Sequence, residues 1–277
     1  MPGAARFLSG KTSSADGTSI AYDRYGSGPP VILVAGAMMD RAHPTLAGVA
    51  GALAPWFTVY SYDRRGRGES GDTPPYAVER EVEDLAAVMA VAGEPVMVFG
   101  GSSGAALALE ASVRLPGVDG LALWEPPYHV DDSAPPLPDD FAGQLLALVE
   151  AGRRGEAVER FMVEAAELPA AAVAAMRAEP GWAVAEALAH TLAYDAFVMG
   201  PGNALPAGRL AAVQPPTLVL DGEDSPAWMR NAGAAVVASV PGAVHRVLED
   251  QTHDVAVEVL VPELLEFFVT VSGAATR

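Results

Sequence analysis

Short apolar runs alternate with alanine-rich helical stretches along most of the chain, and this alternation restricts the possible folds. Seven runs have the β-branched and aromatic character of strands: residues 18–26, 30–36, 57–63, 95–101, 118–125, 216–222 and 243–249. The intervening helical stretches include residues 79–93, 104–117 and 226–242. Buried apolar strands that alternate with helices are typical of a parallel sheet covered on both faces. The sequence therefore predicts an α/β protein with a mostly parallel central sheet.

One long region lacks this alternation. Residues 139–168 and 172–199 have helical patterns, no strand pattern lies near them, and the proline- and aspartate-rich stretch 130–140 precedes them. We interpret residues 128–212 as a helical insertion between two strands of the sheet. The sequence thus predicts a core formed by residues 1–127 and 213–277 and a separate helical unit formed by residues 128–212.

Charge and composition argue against several classes of partner. The chain has 277 residues, is 51% hydrophobic and carries a formal net charge of −18, which opposes binding to phosphate backbones and anionic lipid surfaces. No apolar run is long enough to span a bilayer, and the N-terminus lacks the apolar segment of a signal peptide. We therefore expect a cytoplasmic protein with no nucleic-acid or membrane partner. The absence of cysteine excludes disulfides and thiolate catalysis.

The stretch VMVFGGSSGAA, residues 96–106, carries the strongest catalytic signal. A predicted strand leads into Gly100-x-Ser102-x-Gly104, and a helix of small residues follows, as in a G-x-S-x-G nucleophile elbow. A sharp turn from strand to helix strains the central serine and leaves room only for glycine two residues to either side. Ser102 is therefore the candidate nucleophile. The backbone N–H of Ser103, at the start of the helix, is a candidate donor to an oxyanion.

Three further segments stand in the order of a known superfamily. Gly36-Ala37 ends the strand VILVAG, the segment YDRRGRGES at 62–70 resembles D-x-R-G-x-G-x-S, and His253 follows the last predicted strand. With the elbow, these segments resemble the α/β-hydrolase superfamily, in its serine-nucleophile branch with a helical cap. The resemblance covers nearly the whole chain and implies a serine hydrolase of carboxylester, lactone or thioester bonds. It also implies that Ala37 is the second oxyanion donor, although Ala35 stands where the superfamily usually has histidine.

The resemblance implies a Ser-acid-His order but leaves the acid open. In most relatives the acid lies three residues after the glycine that ends the strand PTLVLDG, and this position is Ser225 here. Asp224 lies one residue earlier, and Glu125 ends the strand that follows the elbow helix. Either carboxylate could meet the histidine and fix its tautomer. We favour Glu125 as the acid, with Asp224 as the alternative and His253 as the base.

Substrate choice is expected to depend on the cap and on the loops beside the oxyanion site. Four residues are candidate pocket residues: Met38, Met39, Trp228 and Tyr194. No arginine cluster is predicted beside the site to bind a phosphate or a carboxylate. We therefore expect a medium-sized, mostly apolar acyl or lactone substrate.

No cofactor or metal ion is expected. The segment GRGESG at 66–71 matches G-x-G-x-x-G, but DTPPY follows it instead of the helix that a dinucleotide site requires. The histidines lack the spacing of metal ligands. Two alternatives to hydrolysis stay open: a catalytically silent ligand-binding homologue, and a biosynthetic cyclase or lyase that uses the same pocket. The sequence does not indicate an oligomeric state.

Overall fold

An eight-stranded, mostly parallel sheet organises the protein in the computed structural model, which describes residues 7–93 and 95–273. The strand order is β1-β2-β4-β3-β5-β6-β7-β8. The strands are β1 (Phe7–Ser13), β2 (Ser19–Gly26), β3 (Pro30–Val34), β4 (Thr58–Tyr62), β5 (Val96–Gly101), β6 (Val118–Trp124), β7 (Thr217–Gly222) and β8 (Val244–Leu248). The pairs β1–β2 and β2–β4 are antiparallel, whereas β4, β3, β5, β6, β7 and β8 run parallel.

Helices cover both faces of this sheet. The helices of the core are α1 (Pro44–Leu53), α2 (Val78–Ala92), α3 (Ser103–Arg114), α10 (Ala227–Ser239) and α11 (Val257–Ser272). On one face, α2, α3 and α10 contribute to a buried cluster that includes Leu85, Leu107 and Val236. On the other face, α1 and α11 contribute Leu53 and Leu264 to a second cluster. Every residue of β4 and β7 is buried, as expected for strands covered on both sides. The predicted α/β-hydrolase fold is confirmed.

The strand β1 is absent from the sequence-based prediction. Its residues, FLSGKTS, are mostly exposed and carry no buried apolar face. Such a segment has no periodic hydrophobic signal, so its strand conformation depends on pairing with β2, from Phe7 opposite Tyr25 to Ser13 opposite Ser19. The other seven strands lie within the predicted ranges.

Helices occupy the region between β6 and β7. They are α4 (Phe141–Glu150), α5 (Arg154–Arg160), a π-helical turn (Phe161–Ala165), α6 (Ala170–Met176), α7 (Trp182–Ala187), α8 (Ala189–Met199), a 3₁₀ turn (Pro201–Asn203) and α9 (Ala207–Leu210). We call residues 141–210 the inserted helices. They bury a separate apolar cluster that includes Leu145, Val158 and Leu192, and α8 packs against α3 of the core. The exact division at residues 128–212 stays a prediction. Of the helices described in residues 7–93 and 95–273, none is long and apolar enough to cross a membrane.

Candidate active site

Ser102 stands at the turn between β5 and α3. Its backbone adopts φ 55° and ψ −129°, a combination that non-glycine residues rarely adopt and that is strained. Its N–H donates to Trp124 O over 2.8 Å. A Cβ on Gly100 would lie 2.4 Å from Gly104 O, and a Cβ on Gly104 would lie 2.4 Å from a carbonyl oxygen of β3. The two glycines are therefore required by close backbone contacts on both sides of the turn.

The loop after β3 lies directly against this turn. A Cβ on Gly36 would lie 3.1 Å from Ser102 Cβ, so Ala37 directly follows a residue that lies close to the serine. Within the described part of the chain, the backbone N–H groups of Ala37 and Ser103 donate no hydrogen bond to the protein. Ser103 is buried and Ala37 is half-buried. These two unpaired N–H groups beside the strained serine are the candidate donors to an oxyanion.

His253 is hydrogen-bonded to a buried carboxylate. Its Nδ1 lies 2.7 Å from Glu125 Oε2, and Glu125 is fully buried at the end of β6. The other carboxylate oxygen, Oε1, accepts the Gly222 N–H over 2.8 Å. Trp124 bridges the two halves of the site, because its backbone oxygen accepts the Ser102 N–H and its Nε1 donates to His253 O over 3.0 Å. Glu125 therefore holds the imidazole on the sheet edge where Ser102 stands.

Asp224, the alternative acid, lies apart from the histidine. It is exposed, and its backbone N–H donates to Gln251 O over 2.9 Å. Over residues 7–93 and 95–273, no hydrogen bond or ion pair joins the Asp224 carboxylate to His253. Nor is a hydrogen bond formed between Ser102 and His253 in this part of the chain, a contact that often tightens only when substrate binds. Of the two carboxylates, Glu125 alone contacts the imidazole.

Sequence reasoning missed a buried ionic cluster beneath the loop. Arg64, Arg67 and Asp195 are each about 1% exposed, and Arg64 Nη1 lies 3.5 Å from Ser103 Oγ. An arginine cluster therefore does lie beside the site, but its guanidinium groups are paired with carboxylates of the protein itself, Asp195 and Glu81. The expectation that no arginine cluster binds a phosphate or carboxylate of a substrate stays a prediction. The sequence signal for this cluster was the arginine-rich segment that follows β4. Because β4 neighbours β3 in the sheet, this segment lies beside the loop that follows β3.

The four candidate pocket residues have different surroundings. Met38 lines an apolar cavity of about 330 Å³ between the loop and the inserted helices. Met39 packs against the apolar cluster of α1 and α11 instead. Trp228 is buried and donates from Nε1 to Glu167 Oε2 over 2.5 Å. The Tyr194 hydroxyl donates to Asp72 Oδ2 over 2.9 Å. Of these four residues, Met38 alone lines the cavity.

Metal ligands are not grouped in the part of the chain that the structure describes. There, no group of three or more histidine, aspartate or glutamate side chains could hold a metal ion.

A second histidine, His245, contacts the buried carboxylate of Asp221 through Nε2 over 2.5 Å. Burial raises the pKa of Asp221, and His245 partly opposes this effect. This second pair lies between β7 and β8.

Curated relatives match parts of the chain. An uncharacterized hydrolase of Bacillus subtilis, YraK, is 38% identical over 111 residues, which is 38% of this chain and 40% of the relative. N-formylmaleamate deformylase of Pseudomonas putida is 35% identical over 126 residues, which is 44% of this chain and 46% of the relative. The chain thus spans less than half the length of these curated relatives.

A solved structure matches almost completely. An alpha/beta hydrolase from Sphaerobacter thermophilus is 52% identical and superposes with a TM-score of 0.87, covering 94% of this chain and 100% of that chain. The family model described as the alpha/beta hydrolase family matches residues 31–259, which span the strands β3 to β8, the turn at Ser102 and His253. On this match and on the observed fold, the chain belongs to the alpha/beta hydrolase family.

Proposed function

We propose that this hydrolase cleaves ester-like bonds (carboxylester, lactone or thioester) with the triad Ser102, His253 and Glu125. The observation that carries the proposal is the hydrogen bond between His253 Nδ1 and the fully buried Glu125, on the sheet edge where Ser102 stands. A carboxylate that accepts the Nδ1 proton leaves the lone pair of Nε2 free to act as a base. This is the tautomer that a serine nucleophile needs.

The chemistry proceeds in two steps through an acyl-enzyme. Ser102 Oγ attacks the carbonyl carbon while His253 Nε2 takes the hydroxyl proton, and the N–H groups of Ala37 and Ser103 stabilise the oxyanion. Collapse of this intermediate expels the alcohol or thiol, which receives the proton from His253. Water then attacks the acyl-enzyme with the same base, and the products are an acid and a regenerated Ser102.

We propose that the cavity beside the loop binds an apolar acyl group and that the inserted helices act as a cap over this cavity. Its volume is about 330 Å³. Besides Met38 and the acidic Glu179, its lining is mostly apolar and comes from Met162, Met176, Gly181, Trp182, Val184, Ala185 and Leu188. Such a surface favours burial of methylene groups and disfavours burial of an anionic group.

Placing a carboxylate in this cavity is expected to shift acyl preference. The variant Met162→Asp should lower kcat/KM for p-nitrophenyl octanoate about tenfold while changing that for p-nitrophenyl acetate about twofold at most, since each buried methylene is worth about 0.8 kcal/mol. Val91→Asp, at an exposed site on α2, is the matched control. An unchanged ratio of octanoate to acetate rates in Met162→Asp would show that the acyl chain binds elsewhere.

One relative widens the set of substrates to be tested. The name of N-formylmaleamate deformylase indicates a substrate with an N-formyl group, and this relative matches 126 residues of this chain at 35% identity. The same nucleophile and oxyanion donors would serve for removal of an N-formyl group, with the amide nitrogen as leaving group and His253 returning the proton to it. We therefore include N-formyl amides beside esters, lactones and thioesters in the substrate series.

Covalent labelling with a fluorophosphonate tests the proposed nucleophile. We expect the probe to modify Ser102, as mapped by mass spectrometry, and to leave Ser102→Ala unmodified, because the probe reacts only with an activated serine. If the wild-type protein stays unmodified while a control hydrolase is labelled, a catalytically silent ligand-binding protein is favoured. Labelling without turnover of any compound in the series would favour a cyclase or lyase reaction in the same pocket.

A further inference from the structure

A buried carboxylate on the inserted helices contacts a residue of the candidate oxyanion hole. Asp195, on α8, is 1% exposed and accepts three contacts: Arg64 Nη1 on Oδ1 at 2.6 Å, Arg67 Nη2 on Oδ2 at 2.7 Å and Ser103 Oγ on Oδ1 at 2.7 Å. Ser103 is itself one of the two candidate donors. One carboxylate thus contacts the first residue of α3 directly and two of the three arginines of the segment after β4, Arg64 and Arg67.

The same arginines hold the loop that carries the other donor. Arg67 Nη1 donates to Gly36 O and, over 3.3 Å, to Met39 O, and Arg64 Nη1 donates to Ala35 O over 3.2 Å. The carbonyl of Gly36 and the N–H of Ala37 belong to one peptide group, which is planar and trans. A cation that binds the carbonyl therefore directs the N–H to the opposite side. It also polarises the peptide and strengthens the N–H as a donor.

Asp195 is needed to keep this arrangement neutral. Arg64 is paired on its other side with Glu81, with contacts of 2.6 and 2.8 Å, so Asp195 supplies the second negative charge for two buried cations. Burial alone would raise the pKa of Asp195, but Arg67 and Arg64 hold it below its ordinary value. The carboxylate is therefore ionised at neutral pH, and its contacts with Arg67 and Ser103 are charge-assisted.

We propose that Asp195 is a positioning residue for catalysis, which orients both oxyanion donors from the inserted helices: Ser103 through its hydroxyl, and Ala37 through Arg67 and the Gly36 carbonyl. This inference rests on the proposed hydrolase function. It makes the oxyanion hole dependent on where α8 lies. A shift of the inserted helices would move both donors together.

The variant Asp195→Asn tests this role because it keeps the size of the side chain and removes its charge. We expect kcat for p-nitrophenyl acetate and the rate of fluorophosphonate labelling to fall by about tenfold to a hundredfold, since misplaced donors weaken transition-state binding. KM should stay within about twofold, because the donors bind the transition state more strongly than the substrate. Thermal unfolding is measured beside the rates.

Asp84→Asn is the matched control. Asp84, on α2, is also 1% exposed and pairs with Arg65 through two contacts of 2.8 and 2.7 Å. None of the contacts that the structure gives for Arg65 is to the loop of residues 35–39 or to Ser103. We expect Asp84→Asn to lower the unfolding temperature as Asp195→Asn does, and to keep kcat and the labelling rate of the wild-type protein.

Ser103→Ala keeps the inference testable if Asp195→Asn does not fold. It removes one contact of Asp195 and retains the backbone N–H, so we expect a several-fold loss of kcat without a change in KM. Wild-type rates in Asp195→Asn and Ser103→Ala, or equal losses in Asp195→Asn and Asp84→Asn, would overturn the positioning role. Failure of the wild-type protein to be labelled would instead overturn the proposed function, so the two failures are distinguishable.

Discussion

Replacing His253 with alanine is expected to reduce hydrolysis about ten-thousandfold or more and to abolish fluorophosphonate labelling of Ser102. Without the imidazole, no group takes the proton of the serine hydroxyl, and removal of a triad member in serine hydrolases has effects of this size. The side chain of His253 is 39% exposed, so the variant should stay folded. Steady-state kinetics with p-nitrophenyl acetate and circular dichroism measure the two properties.

The matched control for this variant is His245→Ala. His245 is 28% exposed on its side chain and contacts the fully buried Asp221, so it repeats the environment of His253 away from Ser102. In both variants a buried carboxylate oxygen loses its partner, at a cost of about 1–3 kcal/mol in the free energy of unfolding. We expect His245→Ala to retain full turnover. Full turnover in His253→Ala would exclude His253 as the base.

Glu125→Gln is expected to lower kcat by about ten-thousandfold, close to the effect of losing the orienting acid in other serine triads. The Glu125 carboxylate accepts two hydrogen bonds, from Gly222 N–H and from His253 Nδ1. Glutamine has one acceptor oxygen and one amide donor, so it satisfies only one of these partners. If its oxygen faces Gly222, the amide donates to Nδ1 and forces the proton onto Nε2. That tautomer has no lone pair for the serine proton.

Asp224→Asn is the isosteric comparison. Asp224 is exposed and has no contact with the imidazole within residues 7–93 and 95–273, so we expect kcat to change about twofold at most. Both variants are measured with the same ester over the same pH range, and labelling of Ser102 reports the nucleophile independently. If Asp224→Asn proved the more damaging change, the role of the acid would pass to Asp224.

Most of the fold could be predicted from the sequence because its signals are local. The apolar runs of β3, β5 and β7 and the amphipathic helices between them each have their own hydrophobic pattern. The strand β1 could not be predicted, because its residues are exposed and its conformation is imposed by pairing with β2. Of the candidate pocket residues, Met38 lines the cavity and Met39, Trp228 and Tyr194 do not, since proximity in the chain does not determine the direction of a side chain. Their contact with substrate stays a prediction.

The sequence by itself determined the turn at Ser102. Gly100 and Gly104 leave one compact path from β5 into α3, so a five-residue pattern is sufficient to predict the strained serine. The contacts among the other residues of the site were decided only by the tertiary structure. Glu125 meets His253 across 128 positions of the chain, and Asp195 meets Arg67 across 128 and Ser103 across 92. A hydrogen bond requires its atoms within about 3 Å. Only the order and register of the parallel strands, and the packing of α8 on the core, bring residues so far apart to that distance.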